Sequence, residues 1–190
     1  LGAMFRNLTE NASVPVVAHL DHGYTIDDCR IAIDSGFSSV MFDGSRKVLS
    51  ENIDLTAQIA EMAHAAGVSC EGEIGFVGYA NGDNSTGTDP EEAARFARDS
   101  GVDAMAISCG NVHLQEDKQG GLDIARIKAI EAVTELPLVI HGGSGVPVAQ
   151  RAWCEDGHNG NDGGAPATPC AVGWVIKGVP ATAKLISKSP

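Results

Sequence analysis

At 190 residues, with 43% hydrophobic and 20% charged residues, the chain has the composition of one soluble globular domain. A formal net charge of -12 argues against nucleic acid, which is bound through clustered Lys and Arg, but permits a small phosphorylated ligand in a locally positive site. No apolar run approaches the roughly 18 residues of a membrane span, no secretory signal is visible, and five cysteines without a C-x-x-C spacing read as buried thiols of a reducing cytoplasm.

Short apolar runs alternate with amphipathic stretches along the chain. Val14 to Leu20 (VPVVAHL) is a β-branched run that predicts a strand. Thr25 is placed to N-cap a helix reaching Gly36, with Asp27 and Asp28 in its first turn. Ser39 to Phe42 predicts the next strand, and Ser50 to Ala66 a helix stopped by Gly67. Val68 to Ile74 predicts a third strand, followed by a Gly/Asn/Ser loop from Gly75 to Gly87. Thr88, Pro90 and Glu91 form a helix start, with Thr88 as the N-cap. Asp103 to Ser108 is strand four, Leu122 to Val133 a helix, and Leu136 to Ile140 strand five.

Strands recurring every roughly 25 to 35 residues match βαβ units, and apolar strands without strict alternation suggest a parallel sheet covered on both faces. The rhythm fits either a doubly wound sheet or most of a β/α barrel. It stops near Arg151. Residues 152–190 hold four of the eight prolines and both tryptophans, and only Ala171 to Ile176 resembles a strand. The expected division is therefore a barrel-type unit over 1–151 and an irregular tail over 152–190.

The chemically useful residues follow directly after the strand runs. In parallel β/α architectures the C-terminal strand ends share one face, where sites form. His22, His113 and His141 occupy such positions. Three imidazoles with an open fourth position describe a catalytic zinc site, although a single strand-end histidine is more often just hydrogen-bonded. Asp21 is placed for proton transfer, or for orienting His22. Glu71 and Glu73, two residues apart, project to one face and serve either a metal or a buried polar network; Asp43 admits the same two readings. His19 is expected to support the site rather than ligate, while His64 and His158 are expected to have no role. The loop HGGSG, His141 to Gly145, offers backbone N–H groups and the Ser144 hydroxyl to an anion.

Together HLDHG (His19 to Gly23), VMFDGS (Val40 to Ser45), CEGEIG (Cys70 to Gly75), TDPEEAARFA (Thr88 to Ala97), GVDAMAISCGNVH (Gly101 to His113) and LPLVIHGGSG (Leu136 to Gly145) resemble the class II fructose-bisphosphate and tagatose-bisphosphate aldolases. The resemblance covers about residues 14 to 151 in the family's order. It implies a partial TIM (β/α)8 barrel spanning about strands 3 to 7, an incomplete chain, and a zinc-dependent lyase of glycolysis or related carbohydrate metabolism. By the same resemblance His22, His113 and His141 hold Zn2+, Asp21 is the catalytic acid/base, and Glu73 and Asp43 surround a second metal position. Gly110, Asn111, Gly142, Gly143 and Ser144 lie near the substrate phosphate and a monovalent cation, Na+ or K+. The resemblance further implies a cytoplasmic homo-oligomer acting on a sugar bisphosphate. Three features depart from the family, the first being that its opening two strands are absent. Residues 152–190 lack its last barrel strand, and the loop Phe76 to Thr88 carries only Asp83 as an acid. A catalytically inactive barrel fragment, serving in metal binding or assembly, is the alternative expectation.

Overall fold

The computed structural model describes residues 16–79, 84–113, 121–143 and 146–150, the single positions 7, 11, 13 and 82, and the backbone of 170–172. Among them the chain alternates strand and helix: β1 (His19–Gly23), α1 (Ile26–Asp34), β2 (Ser39–Phe42), α2 (Leu49–Ala65), β3 (Ser69–Ile74), α3 (Pro90–Asp99), β4 (Ala104–Ile107), α4 (Ile124–Glu131), β5 (Leu138–Ile140) and β6 (Cys170–Val172). All neighbouring strands pair in parallel. The spatial order is β1-β2-β3-β4-β5-β6. Sequential order without a reversal excludes the doubly wound alternative, whose order switches in mid-sheet, and is the arc of a partial β/α barrel.

Each strand sorts its side chains between two faces. Val40 and Phe42 of β2, Met105 and Ile107 of β4, and Leu138 and Ile140 of β5 pack with Ile53, Ile59, Phe96, Ile127 and Ile130 from the helices. Met41, Ala104, Ala106 and Val139 form a smaller cluster made of strand residues alone, on the other face. Glu71 and Glu73 lie at 2% and 1% exposure. Register explains how carboxylates fit there: Glu71 is paired with Ala104 and Glu73 with Ala106, and the alanine methyls leave room beside them. On the helix side, Gly72 allows α2 and α3 to approach the sheet, since a Cβ there would meet Phe96 Cζ at 2.8 Å and Thr56 Cγ2 at 2.9 Å.

Two expectations shift. The first strand was expected over Val14 to Leu20, but pairing runs through the polar HLDHG itself, with His19 opposite Ser39 and Gly23 opposite Phe42. The position of β2 sets the register, so pairing overrides the β-branched preference. Thr88 does not cap α3. Asp89 does, accepting from the Glu91 and Glu92 N–H groups with Pro90 following. Thr88 is buried instead, donating to Ile74 O at 2.6 Å and accepting from Ser108 N at 2.8 Å, which ties the ends of β3 and β4 together. Thr25 caps α1 as expected, and its hydroxyl and Asp28 form a reciprocal capping box. No described helix is long and apolar enough to cross a membrane. The expected division at Arg151 and the irregular tail lie outside the described residues, apart from the backbone of β6 beside β5.

Candidate active site

The site begins with an irregularity in β1. Register slips between Leu20 and Gly23, and His22 has φ 58°, a left-handed conformation that costs a non-glycine residue on the order of 1 kcal/mol or more. Consecutive residues of a regular strand face opposite ways. Here Asp21 and His22 reach the same place, and Asp21 Oδ1 lies 3.8 Å from both His22 Nε2 and His141 Nδ1.

The neighbouring strand ends supply the remainder. Asp43, just after β2, sits with its Oδ2 3.0 Å from His22 Nδ1 and accepts from the Ser45 N–H and hydroxyl. Glu73 Oε2 is 3.7 Å from the same His22 nitrogen. His141 Nε2 is 2.9 Å from Glu71 Oε1, and beyond Glu71 lies His19, whose other ring nitrogen meets Ser39 Oγ at 2.7 Å. Thus Glu71 and His19 form a buried pair behind His141. Asn111 accepts from Cys109 N–H and donates to His141 O, both at 2.8 Å, which staples the turns bearing His113 and His141. The His113 N–H donates to Gly78 O at 2.8 Å, and Tyr79 stacks on its ring with centroids 5.0 Å apart.

The ring centroids of His22, His113 and His141 are separated by 4.8, 5.5 and 6.3 Å. Three imidazoles on one tetrahedral zinc, with Zn–N near 2.0–2.1 Å, place their centroids about 5 Å apart. Two groups bring ligand atoms within 4.8 Å of one another: Asp21, His22 and His141, and His22, Asp43 and Glu73. They share His22. The charges are tightly balanced. Burial disfavours protonated His141, but its hydrogen bond to Glu71 and the charges of Glu71, Glu73 and Asp21 overcome that and lift it to about 9. Burial together with His22 and His141 lowers His113 to about 4. Burial, reinforced by Asp43, raises Glu73 to about 7. Asp43 and Glu71 are pushed up by burial, yet the hydrogen bonds from His22 and Ser45, and from His141, hold both below the usual carboxylate range.

This constellation opens into a cavity of about 310 Å³ reached by His22, Asp43, Glu73 and His113, and also by Tyr24, Arg46, Phe76 and Tyr79. The last four were not singled out from sequence. Their signal was position: each follows within a few residues of a strand end.

The sequence matches the family described as fructose-bisphosphate aldolase class-II over residues 1–156. The chain belongs to the class II fructose-bisphosphate aldolase family. Among curated relatives, the 6-phospho-5-dehydro-2-deoxy-D-gluconate aldolase of Shouchella clausii is 45% identical over 153 residues, covering 78% of this chain and 52% of its own. The fructose-bisphosphate aldolase of Geobacillus stearothermophilus is 40% identical over 153 residues, covering 77% and 53%. In structure, the YdjI aldolase of Escherichia coli K12 superposes with a TM-score of 0.68 at 33% identity, covering 78% of this chain and 52% of that one. The chain spans about half the length of the relatives it matches.

Within this aldolase-family chain, two observations test whether the residues fit a metal. Glu71 Oε2 and Glu73 Oε2 are buried without a hydrogen-bond partner, and burial with the charge of Asp43 raises Glu73 in spite of the nearby His141 and His22. Imidazole nitrogens with carboxylate oxygens are donors that suit zinc, and we find that they fit. Of the expected phosphate-binding residues, Gly142 lies against Val112 O and His113 N with φ 66°, and Gly143 is buried beside it. Gly110 packs instead against Gly121 O, and Asn111 spends its amide on the staple described above. Ser144 and Asp83 lie outside the described residues.

Proposed function

We propose that this chain forms part of a zinc-dependent class II ketose-bisphosphate aldolase. Its reaction is the reversible cleavage of fructose 1,6-bisphosphate, or tagatose 1,6-bisphosphate, to dihydroxyacetone phosphate and glyceraldehyde 3-phosphate. The observation that carries this reading is the gathering of the His22, His113 and His141 rings at one end of the parallel sheet, with Asp21 beside His22 and His141. His22, His113 and His141 would hold the zinc, with Glu73 and Asp43 offering a second position. When bound, the metal supplies Lewis-acid stabilisation of negative charge on the oxygens of the ketone half.

The chain's own residues account for the remaining steps. Asp21 takes the hydroxyl proton whose loss starts carbon–carbon cleavage, from a place beside two of the imidazoles. Glu71 holds the Nε2 side of His141, leaving Nδ1 toward the reacting centre. Asp43 holds the Nδ1 side of His22 in the same manner. Backbone N–H groups of Gly142, Gly143 and Ser144 receive the ketone-half phosphate, assisted by a monovalent cation. Residues 1–151 are the catalytic unit in this proposal, working in a cytoplasmic homo-oligomer.

Relatives with two names bear on the substrate. A 6-phospho-5-dehydro-2-deoxy-gluconate also breaks two bonds from its ketone and releases the same three-carbon ketone phosphate. Its other half carries a carboxylate where glyceraldehyde 3-phosphate carries a phosphate. Both readings use the same metal and base. The chain's span of about half its relatives supports a second reading, in which the 190-residue chain alone only binds metal or assembles.

The test combines metal content with turnover. The chain is expected to take up about one zinc, His141→Ala to lose it, and Asp21→Asn to keep it. In the full-length protein Asp21→Asn should lower cleavage by roughly 100-fold or more. A chain that binds no zinc, or a full-length Asp21→Asn protein with unchanged cleavage, ends the proposal. Zinc uptake without cleavage by the 190-residue chain supports the second reading.

A further inference from the structure

We infer that Tyr79 is a positioning residue for the metal site: its ring, on the segment after β3, holds the imidazole of His113, the third proposed ligand. The inference rests on the aldolase reading above and adds to it a residue which that reading does not use.

The proposed ligands are held in different ways. Asp43 lies at hydrogen-bond distance from a ring nitrogen of His22, and Glu71 from one of His141. Among the described residues His113 has no such carboxylate. Its backbone N–H donates to Gly78 O at 2.8 Å, and its ring is faced by Tyr79, with centroids 5.0 Å apart and planes inclined by 29°. The outer torsion of an imidazole side chain has a broad energy well, so an unsupported ring swings its nitrogens. A hydrogen bond to one nitrogen restricts that swing, and an aromatic ring laid against one face restricts it as well.

Burial does not account for Tyr79. It is 43% exposed, it belongs to neither cluster of the core, and it lines the cavity together with His22 and His113. Its packed surface is the face that it turns on His113.

A ring holds its neighbour only if the segment that carries it is fixed to the turn that carries the neighbour. Hydrogen bonds do this on both sides of Tyr79. Phe76 exchanges backbone hydrogen bonds with Thr86, at 3.0 and 2.7 Å, and its carbonyl accepts from the hydroxyl of Ser108, just after β4, at 3.1 Å. The Ser85 hydroxyl accepts from the Gly78 N–H and donates to Asn111 O, both at 3.0 Å. Tyr79 and His113 themselves form an isolated parallel bridge. Ser85 thus joins the residue before Tyr79 to the turn that ends in His113, and Asn111 of that turn donates to His141 O. The segment after β3 is tied in this way to the turns bearing two of the proposed ligands.

The experiment loads the 190-residue chain and its Tyr79→Leu, Tyr79→Phe and His113→Ala forms with Zn2+ or Co2+ alone. Competition against a chromophoric chelator measures zinc affinity. The visible absorption of the cobalt-loaded forms at saturating metal reports the ligand set and its geometry. Tyr79→Leu fills the space without an aromatic face; it should bind zinc roughly 3- to 10-fold more weakly and alter the cobalt bands, with unchanged far-ultraviolet dichroism. Tyr79→Phe keeps the ring and should match the parent in both readouts. Equal zinc affinity and identical cobalt spectra for the parent and Tyr79→Leu overturn the inference, as does a Tyr79→Phe form as weak as Tyr79→Leu. Failure of the parent to take up zinc, or undiminished zinc affinity in His113→Ala, is a separate result and overturns the ligand assignment of the aldolase reading.

Discussion

Glu71 shows how much of this site depends on a residue that touches no substrate. It is 2% exposed, holds His141 at 2.9 Å and has His19 behind it at 3.8 Å. A carboxylate in that position fixes which imidazole nitrogen is left for a metal and raises its basicity. Glu71→Gln is accordingly expected to weaken zinc binding by roughly 10- to 100-fold while the fold persists. A competition titration against a chromophoric chelator, read beside the far-ultraviolet dichroism of both forms, measures this; equal affinities would show that Glu71 only fills space. His22 makes a related point. Its positive φ is strain retained because it brings Asp21 and His22 to one point, and nothing in the letters HLDHG announces it.

Helix α1 illustrates the element scale. Its start was readable from Thr25 followed by acidic residues, and the capping box bears this out through the Thr25 hydroxyl on Asp28 N and the Asp28 carboxylate on the Thr25 N–H. Thr25→Ala should lower stability by about 1 kcal/mol, read as a shift in the urea midpoint. The same box gives a signed pH dependence. The hydrogen bond with Thr25 lowers the Asp28 pKa in the folded chain. A depressed carboxylate contributes stability above its unfolded value near 3.9, and that contribution is lost as pH falls through the folded value. The stability gap between the parent and Asp28→Ala should therefore be constant from pH 5 to 7 and shrink below about pH 4. A gap that widened on acidification would refute the box as its source. Helix α3 was readable as a helix but not as to its cap, because Thr88 and Asp89 are both good capping residues. Only the packing of β3 against β4 claimed Thr88 for the interior.

At the scale of the whole molecule, the thiols of Cys29, Cys70 and Cys109 are buried in the described core. Burial raises Cys29 to about 12 and pushes Cys70 up as well. A raised thiol pKa leaves little thiolate at neutral pH, and the thiolate is the reactive form. Alkylation of Cys29 and Cys70 by iodoacetamide, located by peptide mass spectrometry, should be nearly absent from pH 7 to 9 and should appear together with global unfolding in urea. Rapid labelling of either in the native chain would contradict the packing described.

The sequence alone carried the repeating strand–helix order, the placement of His22, His113 and His141 at strand ends, and the family pattern. Those features are local, since hydrophobic period and turn residues are written into consecutive positions. It left open a doubly wound sheet against a barrel, because both use the same units. Strand order is a non-local choice, and only the pairing of β1 through β6 in sequence decided it. Tertiary structure likewise decided that Glu71 supports His141, that Glu73 and Asp43 flank His22, and that Arg46 faces the same cavity. Side chains 20 to 70 positions apart meet only when register and a single left-handed residue bring them together, and no spacing rule along the chain encodes that distance.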